Sequence, residues 1–182
     1  MLTAASISEF AVESSALEVW REWLAKYFDG ASHSVGAAGS IEFPAVTLLF
    51  QQSAIPQPLS GAAITCTWIE PGVTEKSWDR VATASPTTQK VLSAYTSFLF
   101  WIRAELNTGA GQGKRLAQQV GERLYGLLNN AAATSELCEK GIHQIWPRPP
   151  QLVTEGNRGQ TEYAMRLVSC QVMLRYPVLG QV

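Results

Sequence analysis

Charge is scarce in this sequence: Asp, Glu, Lys and Arg make up only 16% of its 182 residues, against roughly 25% in an ordinary soluble domain. The 14 basic and 15 acidic side chains nearly cancel, leaving a formal charge of -1. The basic excess that drives affinity for phosphate backbones is therefore missing, and no sequence-specific nucleic acid partner is expected. Low hydrophobicity is missing as well. A content of 46% apolar residues, with almost no net charge, excludes simple disorder, and 182 residues suffice for one domain with a real core.

Paired cysteines are also absent. Cys66, Cys138 and Cys170 are odd in number and form no Cys-x-x-Cys pair, so neither a metal site nor a redox motif is supported. They read as small buried thiols. Long apolar runs are lacking too: residues 46–50 and 98–102 are the longest, far short of the ~20 needed to cross a bilayer. Residues 1–12 have neither the basic start nor the apolar stretch of a secretory signal. A soluble protein with no membrane partner is expected.

What is present is periodicity. Residues 15–29 carry Leu17, Trp20, Leu24, Tyr27 and Phe28 at helical spacing, with Ser14 or Ser15 to cap the start and Gly30 to end it. Trp23 lies off that stripe and reads as an exposed residue able to mark a contact surface. Residues 33–40 read as a small-residue loop, 41–52 as a strand entered through Pro44, and 62–70 as a second strand. Residues 91–106 are strongly aromatic. A helical stripe fits them almost as well, but their β-branched and aromatic content selects a strand. Leu92, Phe98, Phe100 and Ile102 then share one face, with Tyr95, Leu99 and Trp101 on the other.

Beyond a glycine-rich loop at 107–113, residues 114–130 form an amphipathic helix through Leu116, Val120, Leu124, Leu127 and Leu128. A short helical turn at 135–140 is stopped by Gly141, and 142–146 is extended up to Pro147, Pro149 and Pro150. Residues 161–176 form the last strand, and their apolar alternation changes parity. Tyr163, Met165 and Leu167 lead; Val168, Cys170, Val172 and Leu174 follow. That shift predicts a β-bulge or a change of covered face near Val168–Ser169. The whole reads as a single α+β domain over residues 1–182, a mainly antiparallel or mixed sheet flanked by the N-terminal helix and the central amphipathic helix.

No catalytic motif survives inspection. In a phosphate loop, Thr108 would have to be Gly and Arg115 would have to be Ser or Thr; the dinucleotide spacing fails by one residue at Gly113. His33 and His143 are far apart and lack a nearby acidic or thiol cluster. Glu136 and Glu139 read as a solvated helix face. Arg148, Arg158, Arg166 and Arg175 share their third of the chain with five acidic residues. No cofactor, metal or catalytic residue is expected, and the chain does not read as an enzyme.

The layout resembles the tail terminator, or tail completion, proteins at the neck of long-tailed bacteriophages. The resemblance rests on the helix at 17–28, the strand at 44–52, Ser77-Trp78-Asp79-Arg80, and the aromatic strand at 92–104 ending in Trp101-Ile102-Arg103-Ala104. It continues through 113–130 with Leu124-Tyr125-Gly126-Leu127-Leu128, Lys140-Gly141-Ile142, and the closing Arg175-Tyr176-Pro177. It spans nearly the whole chain without a short diagnostic motif. Such a protein is expected to form a ring, usually sixfold, that ends the tail tube and presents a surface to the head. Implied partners are further copies of itself, the tail tube protein and a head-completion or connector protein, all within the virion. Segments 70–90 and 107–113 are the expected contact regions, with Trp78, Arg80, Gly109, Gly111, Gly113 and Arg175 as candidate contacts. Another neck or tube-associated protein, or a non-viral interaction domain, would share the same layout.

Overall fold

A computed structural model describes residues 7–8, 11–50, 59, 61–69, 75–81, 89–106, 112–158 and 161–178, with the backbone path alone at 75–81, 89–92, 154–158, 161–162 and 177–178. Two long strands, β6 (Gln89–Glu105) and β9 (Thr161–Val178), run antiparallel down the middle of a seven-stranded mixed sheet. Four shorter strands flank this spine. On the outer side of β6 lie β4 (Ala62–Trp68) at one end and β5 (Glu75–Val81) at the other. On the outer side of β9 lie β7 (Ile142–Pro147) and β8 (Gln151–Arg158). The remaining strand, β3 (Val46–Phe50), adds in parallel to β4.

Among the described residues, three α-helices pack on this sheet: α1 (Val12–Tyr27), α2 (Gln112–Leu128) and α3 (Ala131–Glu139). Helix α1 starts earlier than the serines suggest. Its N-cap is Ala11, without a side-chain cap, while the Ser15 hydroxyl accepts from the Ser8 amide and donates to the Ala11 carbonyl. Helix α3 is properly capped, because the Asn130 side-chain oxygen accepts from the Ala133 amide at 3.1 Å. Among the described residues, no helix is long and apolar enough to cross a membrane.

The core lies between the helices and one face of the sheet. Phe98, Phe100 and Ile102 of β6, Val168, Cys170, Val172 and Leu174 of β9, and Ile64 and Cys66 of β4 all point there. Trp20 of α1 sits edge-on to Phe98 and Phe100, with ring centroids 5.6 and 5.2 Å apart. Burial of each such side chain stabilises the fold by roughly 1.5–3 kcal/mol. The Thr96 hydroxyl, on this same face, is buried with no hydrogen-bond partner among the described residues. Thr96→Val keeps the shape and removes the stranded hydroxyl, so it should raise the unfolding free energy by about 1 kcal/mol. Urea denaturation checks this, and a loss of that size would mean that the hydroxyl is satisfied in solution.

Several expectations are corrected. Trp23 is not a surface residue: it is 3% exposed, and its indole N–H donates to the Ala133 carbonyl at 2.8 Å. Helix α3 covers the flank of α1 that the main apolar stripe leaves out. The segment at 33–40 is a small hairpin, β1 (Ser32–Ser34) with β2 (Ser40–Glu42), and the strand expected at 41–52 is split at Pro44 between β2 and β3. The bulge expected near Val168–Ser169 is absent from the spine. Pairing runs without a break from Lys90–Val178 to Glu105–Tyr163. The other expected outcome, a change of covered face, is what the structure shows. Ala164 and Val168 stay on the helix side, while Tyr163 and Met165 join Leu49, Leu59 and Ala63 in a small cluster on the opposite face. It is the partner strand that breaks at this point. Strand β7 ends opposite Cys170, β8 begins opposite Leu167, and the Arg148 amide donates to the Ser169 carbonyl between them.

Candidate functional site

Side chains alternate across a strand, so the face opposite the helices can be read from register. On β6 it carries Tyr95, Ser97, Leu99, Trp101 and Arg103; on β9 it carries Met165, Leu167, Ser169, Gln171 and Met173. Cross-strand rows follow from the pairing. Thr65, Trp101 and Leu167 form one row, Thr67, Leu99 and Ser169 the next, and Tyr95 pairs with Met173 further along. Trp146 of β7 joins by pairing with Gln171, and its ring lies 6.1 Å from that of Tyr95.

Among the described residues, no helix covers this face. The cluster around Leu59 and Tyr163 closes one end, where the Leu59 amide donates to the Glu105 carboxylate at 2.7 Å. Elsewhere Tyr95, Leu99, Trp101, Leu167 and Met173 are half-buried, and Trp146 is 44% exposed. The polar groups include the exposed Gln171 and the small Ser97 and Ser169. Arg103 donates to the Thr65 hydroxyl at 3.0 Å and lays its guanidinium 5.7 Å from the Trp101 ring. A sheet face meant for water usually alternates to polar residues. Two Trp, a Tyr, two Leu and two Met on one face depart from that pattern.

The candidate contacts from the sequence are dispersed along the spine. Trp78 and Arg80 lie on β5, opposite Leu92 and Lys90, although their side chains lie outside the described residues. Arg175 lies on the adjoining stretch of β9, opposite Ser93 and half-buried, and its amide donates to the Gly141 carbonyl at 2.8 Å. These three therefore share one end of the sheet. Gly109 and Gly111 lie outside the described residues. Gly113 is a correction: it belongs to the first turn of α2, is buried, and presses on the Glu105 carbonyl at the other end of β6. A residue enclosed in this way offers no contact to a partner. The open face itself was within reach of the sequence, since Tyr95, Leu99 and Trp101 already form an apolar second face of the aromatic strand.

The titratable groups near the core follow from burial. Cys66 of β4 and Cys170 of β9 lie on the helix side of the two strands that flank β6. Burial pushes the Cys66 thiol well above the usual 9, with Cys170 adding to the effect. Burial likewise pushes Cys170 up to about 12. Folding thus favours the protonated thiols, so stability is full below pH 9 and declines as pH rises toward the folded values. At pH 10 the raised Cys170 thiol should cost about 1 kcal/mol, and Cys66 acts in the same direction. Urea midpoints at pH 8 and pH 10 measure this, and Cys170→Ala should reduce the difference and leave the part due to Cys66. Among the described residues, no three His, Cys, Asp or Glu side chains converge as metal ligands would. A scan against known protein families finds no match, and a search of curated proteins finds no relative.

Proposed function

We propose that this chain is a structural assembly protein that buries the helix-free face of its sheet against other protein subunits. The observation that carries the reading is the apolar character of that face: Tyr95, Leu99, Trp101, Leu167, Met173 and Trp146 stand half-buried or exposed, with no helix over them among the described residues. The resemblance to tail terminator proteins gives the assembly its form. Copies would close into a ring, usually sixfold, at the head-proximal end of a phage tail tube, stop the tube from growing, and meet the tube protein on one side and a head-completion or connector protein on the other. A ring needs two different complementary surfaces on each subunit. The open face supplies one, and the outer strands β3, β5, β7 and β8 supply edges at which a neighbour can add a strand. No catalytic step is assigned.

The test is inactivation of the gene in the phage that carries it, followed by electron microscopy of the lysate. Tubes of uncontrolled length and heads without tails are the expected result. Complete particles with tails of normal length would overturn the neck assignment. A stable dimer in solution alongside such particles would point to a non-viral interaction domain that uses the same face.

A further inference from the structure

Cys138 and His143 play no part in the face described above. Cys138 stands in the last turn of α3 and His143 in the second position of β7. The turn through Lys140 and Gly141 folds one back on the other, bringing the Cys138 Sγ within 3.2 Å of the His143 Nδ1. This turn is held from several sides. Gly141 has φ +103°, and a Cβ there would lie 2.7 Å from the Arg175 carbonyl oxygen. The Gly141 carbonyl accepts from the Arg175 amide at 2.8 Å, and the Lys140 carbonyl accepts from the Ile7 amide at 3.2 Å. The thiol–imidazole contact is thus built into the backbone.

The two groups also suit each other chemically. Burial, and then the positive charge of Arg175, holds His143 below its ordinary 6.5, so its ring is neutral at pH 7 and Nδ1 can accept the thiol proton. Both residues are only half-buried, within reach of a small reagent. The other two thiols differ in being essentially inaccessible. A thiol becomes a nucleophile only as its thiolate, and an adjacent base supplies that form.

We propose that Cys138 and His143 form a reactive thiol–imidazole pair, a covalent modification site for low-molecular-weight disulfides and soft electrophiles. In the step with a disulfide RS–SR, the Cys138 proton passes to Nδ1 of His143 and the thiolate attacks one sulfur. The S–S bond breaks, a mixed disulfide Cys138–S–S–R forms, and the departing thiolate takes the proton from the imidazolium to leave as RSH. Cys138 is oxidised and the reagent reduced, with no further oxidant required.

The experiment uses the full chain with an aromatic disulfide reagent, then with glutathione disulfide. In the folded protein one thiol should react fast, and peptide mapping at limiting reagent should place it on Cys138. Its rate constant should exceed that of the same thiol in the urea-unfolded chain by about tenfold or more. His143→Asn should remove that advantage while circular dichroism stays unchanged, and Cys138→Ser should abolish the fast phase. A label spread over Cys66 and Cys170, or a folded-state rate no greater than the unfolded one, would overturn the proposal using the wild-type chain alone.

Discussion

Gly113→Ala should destabilise the protein by about 3 kcal/mol or more, at the upper end of what overpacking costs. A Cβ at this position would run into the Glu105 carbonyl oxygen, with the carbonyl carbon at 2.9 Å and the Leu106 Cα at 3.2 Å. Every one of these atoms is backbone, so no side chain can swing away. They belong to the end of β6 and the residue after it, and Glu105 is itself fixed by its pairing with Tyr163 and by the Leu59 amide. Relief would require α2 to lift off the sheet. For a domain of this size the loss corresponds to a fall in melting temperature of about 6–12 °C. The same substitution at Gly126 serves as the control. That glycine is exposed within the same helix and has nothing within 4 Å of its would-be Cβ, so Gly126→Ala should stabilise by about 0.5–1 kcal/mol. Opposite signs from one substitution in one helix would establish that contact, and not helix propensity, sets the cost at Gly113. Thermal unfolding of both variants measures it.

Trp101→Lys should leave the monomer folded and disable its association. Trp101 stands at the middle of the open face, between Thr65 and Leu167 across the strands and under the Arg103 guanidinium. It is half-buried within the subunit, so a long side chain with a solvated end can replace it at modest cost to stability. If the face is covered in the assembly, a central tryptophan carries a large share of the association energy, at least about 2 kcal/mol, or roughly 30-fold in affinity. Lysine would add a charge that must be stripped of water. Leu152→Lys is the matched comparison, because Leu152 is 72% exposed yet lies on β8 in the opposite register, facing Arg166. Co-sedimentation of each variant with tail tubes should show binding lost for Trp101→Lys and kept for Leu152→Lys. Equal binding by both would remove the open face from the assembly.

Much of this arrangement was legible in the residues, and the exceptions have physical causes. The two faces of β6 could be read directly, because Phe98, Phe100 and Ile102 alternate with Tyr95, Leu99 and Trp101 over a long uninterrupted stretch. Helix α2 was readable for the same reason, its stripe from Val120 to Leu128 being regular. Strands β5 and β8 were not. Their sequences, Glu-Lys-Ser-Trp-Asp-Arg-Val and Gln-Leu-Val-Thr-Glu-Gly-Asn-Arg, carry little strand preference of their own. They are extended because β6 and β9 outlast their other neighbours and leave backbone groups that need partners. The parity change in β9 was a true signal, of the change of covered face and not of the bulge. A small apolar cluster beneath Tyr163 mimics, in sequence, the slip that a bulge would produce. Gly113 was misplaced because a glycine next to a glycine-rich loop looks like part of that loop; its role shows only once Glu105 is seen against it. As for the open face, its apolar residues were visible, but that no described helix covers it was not, since that depends on α1, α2 and α3 choosing the other side.

Low charge, the sequence's first peculiarity, fits a subunit that lives inside an assembly. The neck role proposed above is tested most directly by the protein composition of purified tailed particles, with copy number by quantitative mass spectrometry. The account predicts that the chain is present, at one ring's worth of copies per tail and at a fixed ratio to the tube protein. Its absence from complete, infectious particles would contradict the account.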